Sequence, residues 1–239
     1  MSLAIFSLAP QEGSSADKPK IYSQLYKKLR EEVGGRAKLG VLVQSSLGHG
    51  HAPIQKSFER IVSIQTLEEV PSKCCPLGEN VKKYLKDACR QVALLKPDFV
   101  MIDDDFRMYC SNRLSGCLCP LHLKKISERL GREIGAKEAK ARMNGTSPED
   151  KRVAAVIDEV ITGSMLDLAR ELRASMDEAD PSIPCSIGTC DADIRYAKKN
   201  AEILAGKGNK PVVRINNARY AGNNTTPRTF AKSMYKTAA

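Results

Sequence analysis

The stretch Lys96-Pro97-Asp98-Phe99-Val100-Met101-Ile102-Asp103-Asp104-Asp105-Phe106-Arg107 decides how the chain reads. Its apolar residues run straight into three carboxylates and an arginine. Strands of a parallel sheet are covered on both faces and appear as continuous apolar runs, so 98–103 predicts a buried parallel strand. Three acids at its end do not serve packing, because removing even one carboxylate from water costs several kcal/mol unless it is paired or neutralised. The carboxyl end of a parallel strand is where α/β barrels and open α/β sheets place their chemistry. A solvated strand-to-loop junction, with Arg107 pairing locally, is the plainer alternative. If the strand persists, Asp104 and Asp105 point to opposite faces and one of them faces a pocket.

Working outward, 39–45 (LGVLVQS) predicts a second buried strand, entering the glycine-rich loop Ser46-Leu47-Gly48-His49-Gly50-His51. A weaker strand is expected at 61–65, and further strands at 184–189 and 212–215. Helices are expected at 20–33, with Ile21, Leu25 and Leu29 four residues apart, and at 78–95, 121–130 and 191–205. The longest helix, 147–178, has Ser147 as cap, Pro148 in its first turn and Asp150 completing a capping box. Residues 1–19 read as a loose N-terminus, 20–226 as one α/β domain and 227–239 as a tail. Alternating α and β elements imply a parallel sheet with right-handed crossovers, that is, a (β/α)8 barrel-like fold. Five strands where a barrel has eight make it an incomplete one.

The 239 residues carry 38 basic and 28 acidic side chains, a net charge of +10. That balance would suit nucleic acid. The basic residues, however, are scattered pairs (Lys27-Lys28, Lys82-Lys83, Lys124-Lys125, Lys198-Lys199), and aromatic residues make up 5% with no Trp, a poor supply for base stacking. The sequence has no apolar run long enough for a membrane span, and its N-terminus lacks the basic flank of a signal peptide. The eight cysteines cluster at 74/75 and 117/119 rather than spacing evenly. This points to metal or free thiols and to a cytoplasmic protein.

Polar groups collect at the strand ends: Gln44, Ser46 and His49; Asp103, Asp104 and Asp105; Thr189, Cys190 and Asp191; Arg214 and Asn216. In a barrel these share one mouth. Acids, amides and an arginine there suit a polyhydroxylated substrate, with Gln44, His49, Asp103, Arg107, Arg214 and Asn216 as its binding groups. Arg214 neutralising the aspartates is the bland alternative. In Cys117-Leu118-Cys119-Pro120-Leu121-His122, two thiolates and an imidazole can reach one Zn²⁺, and Cys74 or Cys75 would complete a tetrahedral, structural site. Two other readings remain: a non-catalytic, zinc-stabilised basic protein binding nucleic acid, and an enzyme holding Mg²⁺ or Mn²⁺ on the Asp103–Asp105 cluster. A homo-oligomer is also left open.

CPLGEN, then KPDFVMIDDDFRM, then GCLCPLH resembles the glycoside hydrolase family 42 β-galactosidases over roughly residues 38–220. The resemblance implies a (β/α)8 catalytic barrel and a carbohydrate substrate. It also implies a structural zinc held by one upstream Cys and a downstream Cys-x-Cys-x-x-Cys. Cys117 and Cys119 match the first two downstream ligands, and His122 stands where the third Cys would be. The family's acid/base is the Glu of an Asn-Glu pair closing the fourth barrel strand. Asp103-Asp104-Asp105 stands there in this chain, which puts Asp104 or Asp105 in the catalytic role with a side chain one methylene shorter. The family's nucleophile, on the seventh strand, is expected beyond residue 239, as in a fragment or a reduced relative.

Overall fold

A computed structural model describes residues 2–7, 18–49, 53–108, 116–190 and 197–216. Five strands, β1 (Ser2–Ser7), β2 (Leu39–Gln44), β5 (Val100–Ile102), β6 (Cys185–Cys190) and β7 (Val213–Asn216), form one sheet in the order β1-β2-β5-β6-β7. Every pairing in it is parallel. β3 (Arg60–Val62) and β4 (Glu69–Cys74) make a separate antiparallel pair. The helices are α1 (Lys18–Val33), α2 (Glu79–Leu94), α3 (Pro120–Leu130), α4 (Ala136–Asn144), α5 (Pro148–Asp177) and α6 (Ala197–Leu204).

Strand order follows chain order without reversal, and α1, α2, α5 and α6 pack side by side in the same sequence. A doubly wound sheet reverses its order at a switch point, whereas a barrel advances in one direction. The fold is thus mixed α/β with a parallel sheet that advances in one direction, and the described strands do not close into a barrel. Alternation along the strands sends Leu39, Val41, Val43, Val100, Ile102, Cys185 and Ile187 into the main core. The opposite face carries Leu42, Met101, Ser186, Gly188 and Arg214, in register across β2, β5, β6 and β7.

Four expected strands and five helices are present with small shifts at their ends, and the Ser147–Asp150 capping box is formed in both directions. Two expectations need correction. The N-terminus expected to be loose holds β1 in residues 2–7, where Phe6 is buried against Tyr22 and Tyr26 of α1. The weak strand at 61–65 belongs to the β3–β4 pair, outside the main sheet. Helix α4 occupies a stretch with no assignment from sequence. Asp191, the expected helix start at 191–196 and the 227–239 tail lie outside the described residues. No described helix is long and apolar enough to cross a membrane.

Opposite the strand ends, Asp98 fastens the start of β2 to α1. Its Oδ2 accepts from Leu39 N at 2.6 Å and from Arg30 Nη1 at 2.7 Å. These bonds, the backbone one foremost, hold its carboxyl below the usual range. The group thus adds stability that is full above about pH 4 and is lost as pH falls through its folded-state value. Asp98→Ala is expected to cost about 1–2 kcal/mol in urea unfolding at pH 7. The difference from wild type should shrink at pH 3, and a constant difference would show that the charge is not responsible.

Candidate functional site

The parallel sheet brings the ends of β2, β5, β6 and β7 to one edge. β5 stops at Ile102, and residues 103–107 turn back on themselves, with Phe106 N donating to Asp103 O and Arg107 N to Asp105 O. The strand does not persist through Asp104 and Asp105, so the expected opposite-face geometry does not arise. Each aspartate meets its own basic side chain instead. Asp105 Oδ2 lies 2.8 Å from His49 Nδ1, with the carboxylate 3% and the imidazole 60% exposed. Arg107 Nη1 donates to Asp104 Oδ2 at 3.4 Å, and Arg214 Nη1, from the far strand β7, to Asp103 Oδ1 at 3.4 Å. Burial, together with the like charges of Asp104 and Asp105, pushes the Asp103 carboxyl up; the Asp104 N–H and Arg214 oppose this.

Arg107 and Arg214, expected to hold substrate, are thus carboxylate partners, the plainer role the sequence also allowed. The three carboxylates have oxygens within 4.8 Å of one another. Gln44 ends β2, half-buried, and Asn216 closes β7 in register with Cys190. The described residues there enclose a cavity of only about 10 Å³, between Asp104, Arg107 and Thr189. Residues 50–52, 109–115, 191–196 and 217–239, which follow these strands, lie outside the described residues.

His49 reaches Asp105 because its loop is docked on β4. Gly48, at φ +104°, lies against Ser72, Cys74 N donates to Leu47 O at 3.0 Å, and Lys73 Nζ donates to Gly48 O at 2.5 Å. Sequence reasoning missed Lys73, which carries no motif. The Ser46 hydroxyl, named at the strand ends but not among the binding groups, is a buried oxygen with no hydrogen-bond partner among the described residues.

The second constellation is the buried group Cys75, Cys117, Cys119 and His122. Cys75 leaves the end of β4. Residues 117–118 run beside β3, with Leu118 N donating to Val62 O at 2.9 Å. Pro120 then opens α3 and puts His122 in its first turn. Cys75 Sγ is 3.6 Å from Cys119 Sγ, and His122 Nδ1 is 3.5 Å from Cys75 Sγ and 3.4 Å from Cys119 Sγ. A tetrahedral ion with zinc-like bond lengths would separate sulfurs by about 3.8 Å and sulfur from nitrogen by about 3.5 Å. The four donors therefore fit a metal. Cys74, the other upstream candidate, is outside the group; burial pushes its thiol up to about 12, as in a protonated core cysteine. Within the four, hydrogen bonds from Cys117 and Cys75 pull the Cys119 thiol down, while Cys75 is raised by its bonds to Cys117 and Cys119.

A one-way parallel sheet with helices alongside, acids at its carboxyl edge and a separate buried Cys/His cluster define a mixed α/β protein. Its fold is shared with solved β-galactosidases. The chain has a TM-score of 0.57 and 14% identity with the β-galactosidase from Bacillus circulans sp. alkalophilus, covering 97% of this chain and 37% of that one. With the polyextremophilic β-galactosidase of the Antarctic haloarchaeon Halorubrum lacusprofundi the TM-score is 0.58 at 14% identity, covering 94% and 37%. The chain thus spans little more than a third of either. No protein-family model matches, and no curated protein matches in sequence.

Proposed function

We propose that the chain is a glycoside-hydrolase-type barrel segment of the family 42 β-galactosidase kind, binding a polyhydroxylated sugar at the strand-end acids and stiffened by a structural zinc. The observation that carries the reading is the His49–Asp105 contact at the edge where β2 and β5 end. Asp105, nearly sealed from solvent, holds the exposed ring, and in a carboxylate–imidazole pair the transferable proton sits on nitrogen. Asp105 and His49 then act together as the acid/base, the imidazole making up for the methylene that Asp lacks relative to Glu. Asp103 and Asp104, each paired with an arginine, accept from sugar hydroxyls. A retaining hydrolase needs a second carboxylate about 5 Å away on another element. β1, β2, β6 and β7 end in Ser7, Gln44, Cys190 and Asn216, so the nucleophile is not among the described strand ends.

The test is turnover of an aryl β-galactoside together with galactose binding by calorimetry. Asp105→Asn and His49→Ala are each expected to lower kcat by about 100-fold or more while leaving the fold intact. A variant at Asp105 with undiminished turnover would remove the pair from the mechanism. A protein that ignores sugars and binds nucleic acid with steep salt dependence would sink the reading in favour of the basic binding protein.

A further inference from the structure

His122 is held from behind as well as in front. Its Nε2 lies 3.2 Å from Ser164 Oγ in the middle of α5, and both side chains are buried. The Ser164 hydroxyl donates to Ile161 O at 2.7 Å. A carbonyl oxygen cannot donate, so the single hydroxyl proton is committed to it. The Ser164 oxygen can then only accept from His122 Nε2–H. A proton fixed on Nε2 leaves Nδ1, the nitrogen facing the sulfurs, as the metal-binding atom. A cysteine at position 122 would need no such support, because a thiolate has no second ring nitrogen to satisfy.

We propose that Ser164 is the positioning residue for the metal site: by holding the proton on His122 Nε2, it sets how tightly Cys75, Cys117, Cys119 and His122 grip a thiolate-preferring divalent ion, and it ties that ion to α5. This rests on the metal reading above and extends it to a residue that touches no metal. Partners of this kind fix the orientation and tautomer of ligating histidines. Position 164 falls on the buried stripe of α5 with Ile157, Ile161 and Leu168, where an apolar residue would pack at no desolvation cost. The serine is therefore there for its hydrogen bonds.

The experiment is a double-mutant cycle read by competition for Zn²⁺ against a chromophoric chelator, with Co²⁺ absorption reporting thiolate ligation. Ser164→Ala is expected to weaken Zn²⁺ binding about 10–100-fold, and Ser164→Thr, which keeps the hydroxyl, to restore most of it. In a His122→Cys background, Ser164→Ala should change affinity less than about threefold, since no imidazole is left to position. Long-range ¹H–¹⁵N spectra of the zinc-loaded wild type should show Nδ1 bound and Nε2 protonated. An equal loss in both backgrounds would make Ser164 a packing residue and overturn the inference while leaving the metal site standing. Coordination through Nε2 would overturn it as well. A wild-type protein that takes up no Zn²⁺ would overturn both.

Discussion

Replacing Cys117 and Cys119 together by serine is expected to abolish stoichiometric zinc binding and to lower the melting temperature by roughly 10 °C. The magnitude follows from linkage. An ion present at about a thousand times its dissociation constant stabilises the folded state by about 4 kcal/mol, and in a chain of this size each kcal/mol moves the midpoint by about 2–4 °C. The physical reason is connectivity. Cys75 follows the β3–β4 pair, Cys117 and Cys119 sit on the segment beside β3, and His122, in the first turn of α3, bonds Ser164 of α5. Among the described residues, the Ser63–Cys117 bridge and the bonds of Leu118 N to Val62 O and of Val62 N to Cys117 Sγ are what tie that segment to the pair. Without an ion, three thiols and an imidazole share a sealed space with no ligand to hold them together. Metal analysis of protein purified without chelator should find about one zinc per wild-type chain, and EDTA should bring the wild-type melting curve down to that of the double variant. Coincident curves with and without chelator, and no bound metal, would show the cluster to be a set of packed thiols.

The sequence carried the sheet because β2, β5, β6 and β7 are apolar enough to be read without their neighbours, and α5 because its cap is local chemistry between Ser147 and Asp150. What it did not carry depends on neighbours. β1 is an edge strand that leaves Ile5 exposed and owes its buried side to Phe6 meeting Tyr22 and Tyr26. β4 contains Pro71, which argues against a strand except at an edge. α4 buries Ala139 alone among its side chains, so it lacks an apolar stripe to detect. The Cys/His cluster was legible to within one residue: adjacent cysteines diverge in direction, and only the path of the chain leaving β4 selects Cys75 over Cys74. The acids were legible as a cluster, but their partners were not. Whether Asp105 would face a pocket, a cation or the core depended on the turn after Ile102 and on a loop from β2 reaching over it. The one sequence signal for Ser164 was a hydroxyl on an otherwise apolar helical stripe, and nothing local linked it to a histidine 42 positions earlier.

Gly48→Ala is expected to destabilise the protein by about 2–4 kcal/mol and to separate His49 from Asp105. Gly48 sits at φ +104°, a conformation that L side chains rarely adopt, and a Cβ there would stand 2.0 Å from Ser72 O and 3.1 Å from Ser72 C. The obstacle is backbone, which cannot swing aside as a side-chain tip can. Strain of about 1–3 kcal/mol therefore adds to displacement of a loop whose Leu47 is fully buried and whose carbonyls at 47 and 48 receive Cys74 N and Lys73 Nζ. Lifting the loop leaves the Lys73 ammonium without that acceptor and Asp105 without its imidazole, each a buried charge losing a partner. Gly35→Ala supplies the control: that glycine has nothing within 4 Å of a built Cβ and no positive φ, so the change should be neutral or stabilising by up to about 1 kcal/mol through the unfolded chain. Denaturant midpoints of the two variants at equal m-values separate the cases, and His49 ring shifts report the local effect. If Gly48→Ala unfolds no more readily than Gly35→Ala and the His49 resonances stay in place, the loop is not docked on β4, and the His49–Asp105 pair loses the support that holds it at the carboxyl edge of the sheet.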